Sequence, residues 1–201
     1  MVLRAPKWQG NPGRFVAELL GWLESAGATR YDEIVTQYEH ALQSAALASQ
    51  RRGHPALIAA ALLHDVGHLL VDEHDGHTGL PARDLEHERV GAGWLSRAFG
   101  ADVTEPIRLH VAAKRYLCSI DAAYYNGLSE GSRRSFVLQG GAMTGDEIKA
   151  FLAHPAAQDA IEVRRVDDLA KEPHRVVPDA REYRELLLQV LRAGRGVANE
   201  G

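Results

Sequence analysis

Apolar side chains recur along this chain at intervals of three and four residues, which is the spacing of one helix face rather than the alternation of a β-strand. Phe15, Leu19 and Trp22 form the first such stripe. The pattern predicts nine helices, at about 14–26, 33–52, 55–71, 83–99, 102–117, 121–138 with a break, 144–153, 156–171 and 180–193. We therefore expect an all-α protein.

One predicted helix carries polar groups where its pattern is otherwise apolar. The stretch ALLHDVGHLL, residues 61–70, contains His64, Asp65 and His68 among leucine, valine and alanine. A buried, unpaired carboxylate or imidazole is costly, whereas coordination to a cation satisfies both groups. A single histidine in such a place is more often a hydrogen-bonded core residue. The adjacent His-Asp pair favours a metal site.

Other predicted helices place possible ligands on the face that points inward. Glu33 and His40 share one face of their helix, although a polar stripe taken alone is more typical of a solvated face. His87 and His110 each lie in register with apolar positions of their own helices. Lys114 follows His110 by one turn, so an inward ammonium would lie beside the metal. That arrangement indicates a bound anion.

A carboxylate near the C-terminus is a weaker candidate. Asp167 lies three residues after Arg164, at a spacing that puts both on one helix face, and Asp168 is the outward alternative. An acid–base pair at this spacing is usually a solvated surface salt bridge. Taken alone, it does not predict a site.

Composition narrows the classes of partner and compartment. The 201 residues carry a formal charge of −4, without the basic excess that a nucleic-acid-binding protein uses to neutralise phosphates. Only one cysteine is present, which excludes a disulfide within the chain, and no apolar run approaches the roughly 20 residues of a membrane span. We expect a soluble cytoplasmic protein without nucleic-acid or membrane partners. It would form a single domain over residues 1–201, with a core at about 14–193 and a frayed C-terminal tail.

The order His40, His64-Asp65 and Asp167 is the H…HD…D pattern of the HD-domain superfamily. Within it the chain resembles the mixed-valent diiron oxygenases that cleave 1-hydroxyalkylphosphonates, the 2-amino-1-hydroxyethylphosphonate dioxygenase-like family. The resemblance runs from about Tyr31 to Leu187 and is carried by TQYEHALQSA, AALLHDVGHLL, EHERVGAGWL, HVAAKRYL, LSEGSRRSFVLQGGAMT and RRVDDLAK. It implies an HD-domain helical bundle with a dinuclear metal site in its core.

The same resemblance implies a role for each matching residue. One iron would be held by His40, His64, Asp65 and Asp167, and the other by Asp65, His87 and His110. Asp65 would thus bridge the two ions as a catalytic residue. The residues matching the phosphonate-binding positions are Lys114, Ser132, Arg164 and His68. For His68, an equal alternative is that it orients a metal ligand.

Two further catalytic positions follow from the resemblance. Glu33 matches the carboxylate that meets the amino end of the substrate, and Tyr31 resembles the tyrosine that occupies an iron site until substrate arrives. In the family pattern these two residues are separated by one residue more than in YDE here. The shorter spacing therefore does not decide whether Tyr31 has this gating role. Glu33 remains in register with His40.

Imidazole and carboxylate ligands without thiolates suit iron, and two ions about 3.5–4 Å apart can clamp a substrate between them. The resemblance implies an Fe(II)/Fe(III) pair with O2 as co-substrate. The reaction would convert a 1-hydroxy-2-(amino or trimethylammonio)ethylphosphonate to phosphate and glycine or glycine betaine, and the sequence does not choose between the two nitrogens. Such an enzyme could work after a separate phosphonate C1 hydroxylase.

Two other functions compete with this interpretation. An HD-domain phosphohydrolase of a nucleotide or phosphate ester would use nearly the same ligands to activate water. The motifs KRYL and QGG favour the oxygenase. A non-catalytic metal-binding module is less favoured, because a purely structural site has its coordination closed by protein ligands.

Overall fold

The computed structural model describes residues 4–28, 35–75 and 86–196. Within these ranges the chain forms eleven α-helices and a short 3-10 helix at Ala180–Tyr183. The α-helices are α1 Pro12–Ala26, α2 Gln37–Gln50, α3 Pro55–Leu63, α4 Val66–Asp75, α5 His87–Leu95, α6 Ala101–Ile120, α7 Ala122–Gly127, α8 Glu130–Leu138, α9 Gly145–Leu152, α10 Ala157–Leu169 and α11 Arg184–Gly196. The all-α prediction is confirmed.

The helix predicted at 55–71 is in fact two helices. α3 ends at Leu63 and α4 begins at Val66, so His64 and Asp65 form a turn between them. Apolar residues flank this turn on both sides, which is why periodicity did not reveal it. The break matters for the site, because it places the His-Asp pair at a corner rather than along a helix face.

The start of α2 is also later than the predicted residue 33, for a local reason. Thr36 and Glu39 form a capping box, in which Glu39 N donates to Thr36 Oγ1 at 3.1 Å and Thr36 N donates to Glu39 Oε2 at 2.8 Å. Such a pair satisfies backbone N–H groups that a helix start leaves open. α2 therefore begins at Gln37 and carries His40 in its first turn.

α3 lies at the centre of the main core. Each residue from Ala56 to Leu63 is buried, which explains why this helix is apolar around its whole circumference. α2, α6, α10 and α11 pack around it. A smaller apolar cluster joins α6 to α9 and α10 through Leu117, Phe151 and Ile161. No helix in the described ranges is long and apolar enough to span a membrane.

The backbones of α4 and α5 meet at two glycines. A Cβ atom on Gly67 would lie 1.9 Å from the carbonyl oxygen of His87, and a Cβ on Gly91 would lie 3.0 Å from Gly67 N. Only a residue without a side chain permits the approach at Gly67. This close packing places His87 next to the His64–Asp65 corner.

We predict that Gly67→Ala destabilises the fold by about 1–3 kcal/mol, because the new methyl group forces α4 and α5 apart. The matched control is Gly93→Ala on α5, where an added Cβ meets nothing within 4 Å. That change should stabilise the protein by about 0.4–1 kcal/mol, because it restricts the unfolded chain. Urea unfolding of the metal-free protein measures both. Equal effects of the two substitutions would contradict the close approach.

Candidate metal centre

Four buried side chains from three parts of the fold meet in a first group. His40 comes from α2, His64 and Asp65 from the α3–α4 turn, and Asp167 from α10. His40 Nε2 lies 3.2 Å from His64 Nε2, 3.4 Å from Asp167 Oδ1 and 3.5 Å from Asp65 Oδ2. All four ligand-type atoms therefore face one small volume.

A second group lies on the other side of Asp65. His87, the first residue of α5, and His110 on α6 bring their Nε2 atoms to within 3.2 Å of each other. Asp65 Oδ1 lies 3.5 Å from His87 Nε2 and 3.7 Å from His110 Nε2. One oxygen of Asp65 faces each group, so this single carboxylate joins them.

Three of the four imidazoles are oriented by backbone carbonyl groups. The Nδ1 atoms of His40, His64 and His110 donate to Ala170 O at 2.9 Å, Ala61 O at 2.9 Å and Ile107 O at 2.7 Å. With the proton on Nδ1, the Nε2 atom of a neutral imidazole carries a lone pair and can bind a metal. The Nε2 atoms therefore converge as electron donors rather than as hydrogen-bonding partners.

The spacing of these donors fits metal coordination. With a metal–nitrogen distance of about 2.1 Å, two ligand atoms lie about 3.0 Å apart at a right angle and about 3.4 Å apart at a tetrahedral angle. Both His–His pairs have Nε2 atoms 3.2 Å apart. Two lone pairs at this separation repel each other, and a cation bound between them turns the repulsion into attraction.

The carboxylates of the first group supply the negative charge. Asp65 Oδ2 and Asp167 Oδ1 are buried without a hydrogen-bond donor among the described residues. Burial alone would raise the pKa of Asp65, but His64 and His87 hold it well below its usual range. Burial opposes ionisation of Asp167 too, and the charge of Arg164 keeps its pKa well below the usual value. Both carboxylates are ionised, and their free oxygens fit a metal ion.

Imidazole nitrogens and carboxylate oxygens in these groups suit first-row metals such as iron, and thiolates are absent from both groups. The structure thus brings together the six predicted ligands His40, His64, Asp65, His87, His110 and Asp167, while their binding of metal stays a prediction. Tyr31 and Glu33 lie outside the described residues.

His68 lies at the second group: a ring nitrogen of His68 and ligand atoms of Asp65 and His87 all lie within 4.8 Å of one another, so these three residues could hold a metal ion together. Its ring stacks on the ring of His87 with centroids 3.8 Å apart and an interplanar angle of 16°. Burial, and then the neighbouring His87, lowers the pKa of His68 to about 3, so the ring is neutral. This contact supports the alternative that His68 orients a ligand. Its contact with a phosphonate stays a prediction.

Lys114 provides a buried positive charge next to the groups. Its side chain lies on α6, the residue is 3% exposed, and Nζ donates to Ser135 Oγ at 2.8 Å. Burial, and then the charge of Arg164, lowers the pKa of Lys114 to about 8. Ser132, also buried, receives a long contact of 3.5 Å from Lys171 Nζ to its Oγ. The buried ammonium of Lys114 suits an anion.

Arg164 is not a member of a solvated surface pair. It is 4% exposed, and its Nη1 donates to Asp167 Oδ2 at 2.7 Å. Asp168 binds the other edge of the guanidinium through Nε at 3.1 Å and through Nη2. A surface salt bridge at i,i+3 is therefore the wrong interpretation here. Arg164 holds one oxygen of Asp167 and leaves the other facing His40.

The motifs KRYL and QGG are joined in the structure. Arg115 Nε donates to Gly141 O at 2.9 Å, and Arg115 Nη2 donates to Glu147 Oε1 at 2.8 Å. Gly140 and Gly141 have φ of 98° and 64°, a region that favours glycine. The two motifs thus fix α8 and its serines beside Lys114.

Sequence reasoning did not identify Ser135 and Glu88, and it considered Tyr124 only as part of a wall around substrate methyl groups, without its contact with Arg164. Ser135 binds Lys114, Glu88 places Oε2 3.6 Å from His87 Nδ1, and Tyr124 contacts Arg164. Ser135 lies one turn after Ser132 on α8, so helical spacing could have indicated it. Tyr124 comes from a different helix, and no local pattern connects it to Arg164.

Comparison with known proteins identifies one matching family model and two similar proteins that are named as dioxygenases. The HD domain family model matches residues 37–170. Hydroxymethylphosphonate dioxygenase of Gimesia maris is 52% identical over 173 residues, which cover 86% of each chain. The glycine-betaine-forming 1-hydroxy-2-(trimethylamino)ethylphosphonate dioxygenase of Leisingera caerulea is 38% identical over 170 residues, which cover 84% of this chain and 86% of the relative.

We predict that the wild-type chain binds two Fe(II) ions under anaerobic conditions, that His87→Ala retains one, and that Asp65→Ala retains neither. Asp65 should have the larger effect because it contributes an oxygen to each group. Metal analysis after desalting gives the stoichiometry, and the metal-dependent rise in melting temperature gives an independent reading. His154→Ala, outside both groups, is the control. Retention of both ions by Asp65→Ala would contradict the shared carboxylate.

Proposed function

The chain belongs to the HD-domain phosphonate dioxygenase family, and on that premise we propose that this enzyme cleaves the carbon–phosphorus bond of a small 1-hydroxyalkylphosphonate oxidatively. Two iron ions in an Fe(II)/Fe(III) pair would be its cofactor, and O2 its co-substrate. The observation that carries the proposal is the arrangement of Asp65, whose two oxygens face two histidine pairs close to the buried cation Lys114.

Hydroxymethylphosphonate is the first candidate substrate. The relative named for this compound is 52% identical to the chain. Its oxidation balances as hydroxymethylphosphonate plus O2 giving formate, phosphate and one proton. The C–P bond breaks, carbon is oxidised and O2 accepts the electrons, so no further reductant is required.

A longer substrate with a cationic nitrogen is the second candidate. The relative named for the trimethylamino compound is 38% identical, and the resemblance of Glu33 to a carboxylate that meets an amino group favours the same class. A 1-hydroxy-2-(amino or trimethylammonio)ethylphosphonate would yield phosphate and glycine or glycine betaine. In either case a separate C1 hydroxylase would supply the substrate from the corresponding phosphonate that lacks the C1 hydroxyl group.

Each residue of the site has a proposed task. His40, His64, Asp65 and Asp167 would hold one iron, and Asp65, His87 and His110 the other. Bound iron would supply the redox chemistry that activates O2 and oxidises C1. Lys114 and Ser132 would bind the phosphonate oxygens by hydrogen bonds, of which the charged one is the stronger. Arg164 and His68 would complete the phosphonate site with N–H donors.

Glu33 would meet the amino end of the substrate, and Tyr31 would occupy an iron site until substrate arrives. A single HD domain and a cytoplasmic location, both expected from the sequence, stay predictions.

The phosphonate oxygens would displace Ser135 from Lys114, because a charged acceptor outcompetes a neutral hydroxyl.

We predict that iron-loaded, partially oxidised enzyme consumes one O2 for each phosphate released from hydroxymethylphosphonate. An oxygen electrode and a phosphate assay measure the ratio, and formate is quantified in the same sample. The trimethylammonio and amino substrates are tested in parallel, and the preferred one has the highest kcat/KM. Phosphate release without O2 uptake would refute the oxygenase and support the phosphohydrolase. No release from any of the three phosphonates would refute the substrate class.

A further inference from the structure

A polar network leads from α7 to the metal-facing carboxylate of α10. The Tyr124 hydroxyl donates to Asp168 Oδ2, and Arg164 Nε donates to Tyr124 Oη and to Asp168 Oδ2, each at 3.1 Å. Arg164 Nη2 donates to Asp168 Oδ1. The last bond in the network is from Arg164 Nη1 to Asp167 Oδ2 at 2.7 Å. Tyr124 and Asp168 thus connect to the site only through Arg164 in this network.

The geometry restrains the guanidinium at two edges. Asp168 binds Nε and Nη2 together, which is the bidentate arrangement that best defines the plane of an arginine. Asp167 takes one N–H of Nη1. One N–H on each Nη atom then faces neither carboxylate in the described network. The guanidinium can therefore hold Asp167 and still offer donors to a bound anion.

Restraint of Arg164 determines which oxygen of Asp167 faces the metal. Oδ2 is held by Arg164, while Oδ1 is buried 3.4 Å from His40 Nε2 and has no hydrogen-bond donor among the described residues. If the guanidinium rotates away, the carboxylate loses the bond that distinguishes its two oxygens. A buried carboxylate can then turn, and Oδ1 no longer points into the first group.

We propose that Asp168 and Tyr124 are positioning residues, which fix Arg164 so that it orients Asp167 toward the first metal. This inference rests on the proposed two-metal function and assigns the pair to one of its two ions. The pair acts on the group that contains His40 and His64, since Asp167 belongs to that group alone. The group of His87 and His110 lies outside the network.

The test is anaerobic titration of Fe(II) into Asp168→Asn and Tyr124→Phe. Asp168→Asn loses the carboxylate that grips Arg164, and affinity for one of the two Fe(II) equivalents should fall about 10–100-fold, the usual effect of changing a group that orients a ligand. Tyr124→Phe removes the hydroxyl that binds Asp168 and Arg164 and should weaken the same equivalent about 2–10-fold. The effect is smaller than that of Asp168→Asn because Asp168 still holds the guanidinium at Nε and Nη2. Affinity for the other equivalent should stay at the wild-type value.

Matched controls exist on the same helices. Asp159→Asn makes the same chemical change on α10, where Asp159 contacts His54 at the surface. Tyr125→Phe makes the second change on α7, where Tyr125 packs against Phe136 with ring centroids 5.5 Å apart. Both controls should bind both Fe(II) equivalents like the wild type.

Selective loss of one equivalent separates positioning from a general effect on folding. Wild-type affinity for both equivalents in Asp168→Asn and Tyr124→Phe would overturn the proposal, as would equal weakening of both. If Asp168→Asn does not fold, Tyr124→Phe decides, because it removes a single oxygen atom. Binding of a single Fe(II) by the wild-type chain would contradict the two-metal function. In that case, lower affinity for this one ion in Asp168→Asn would still support the positioning role.

Discussion

The structure depends on one buried carboxylate that two pairs of imidazoles share. Asp65 sends Oδ2 toward His40 and His64 and Oδ1 toward His87 and His110. An ionised carboxylate in a largely apolar interior is costly unless cations compensate it. Two metal ions between the oxygens and the nitrogens would provide that compensation. The four imidazoles and Asp65 come from α2, the α3–α4 turn, α5 and α6, and their meeting at one point explains why the α3–α4 corner lies inside the bundle.

Backbone groups hold the ligand side chains in place. Gln43 on α2 donates from Nε2 to Glu172 O at 2.8 Å and accepts from Glu172 N at 3.0 Å. These bonds fix the chain just beyond Ala170, whose carbonyl orients His40. α2 therefore supplies a histidine and also secures the segment that orients it. At the second group, the contact of Gly67 with the His87 carbonyl achieves the same by close packing.

Much of this arrangement was predictable from single residues and their spacing. Periodicity predicts that His87 and His110 point inward, and the structure buries both. The apolar surroundings of His64 and Asp65 predict a site there, but not the turn between two helices, because the residues on both sides of that turn are apolar. Long-range contacts such as Tyr124 with Arg164 leave no local pattern, since the residues come from helices far apart in sequence. Periodicity alone did not distinguish Asp167 from a surface carboxylate. The family resemblance made it a ligand candidate.

Two iron ions that share Asp65 would be magnetically coupled, and electron paramagnetic resonance tests this coupling most directly. Iron-loaded, partially oxidised protein should show the signal of an antiferromagnetically coupled Fe(II)/Fe(III) pair, because the shared carboxylate joins the ions. Addition of hydroxymethylphosphonate should change that signal, since the substrate would bind at the pair. An isolated ferric signal that accounts for all the oxidised iron, unaltered by the phosphonate, would contradict the account.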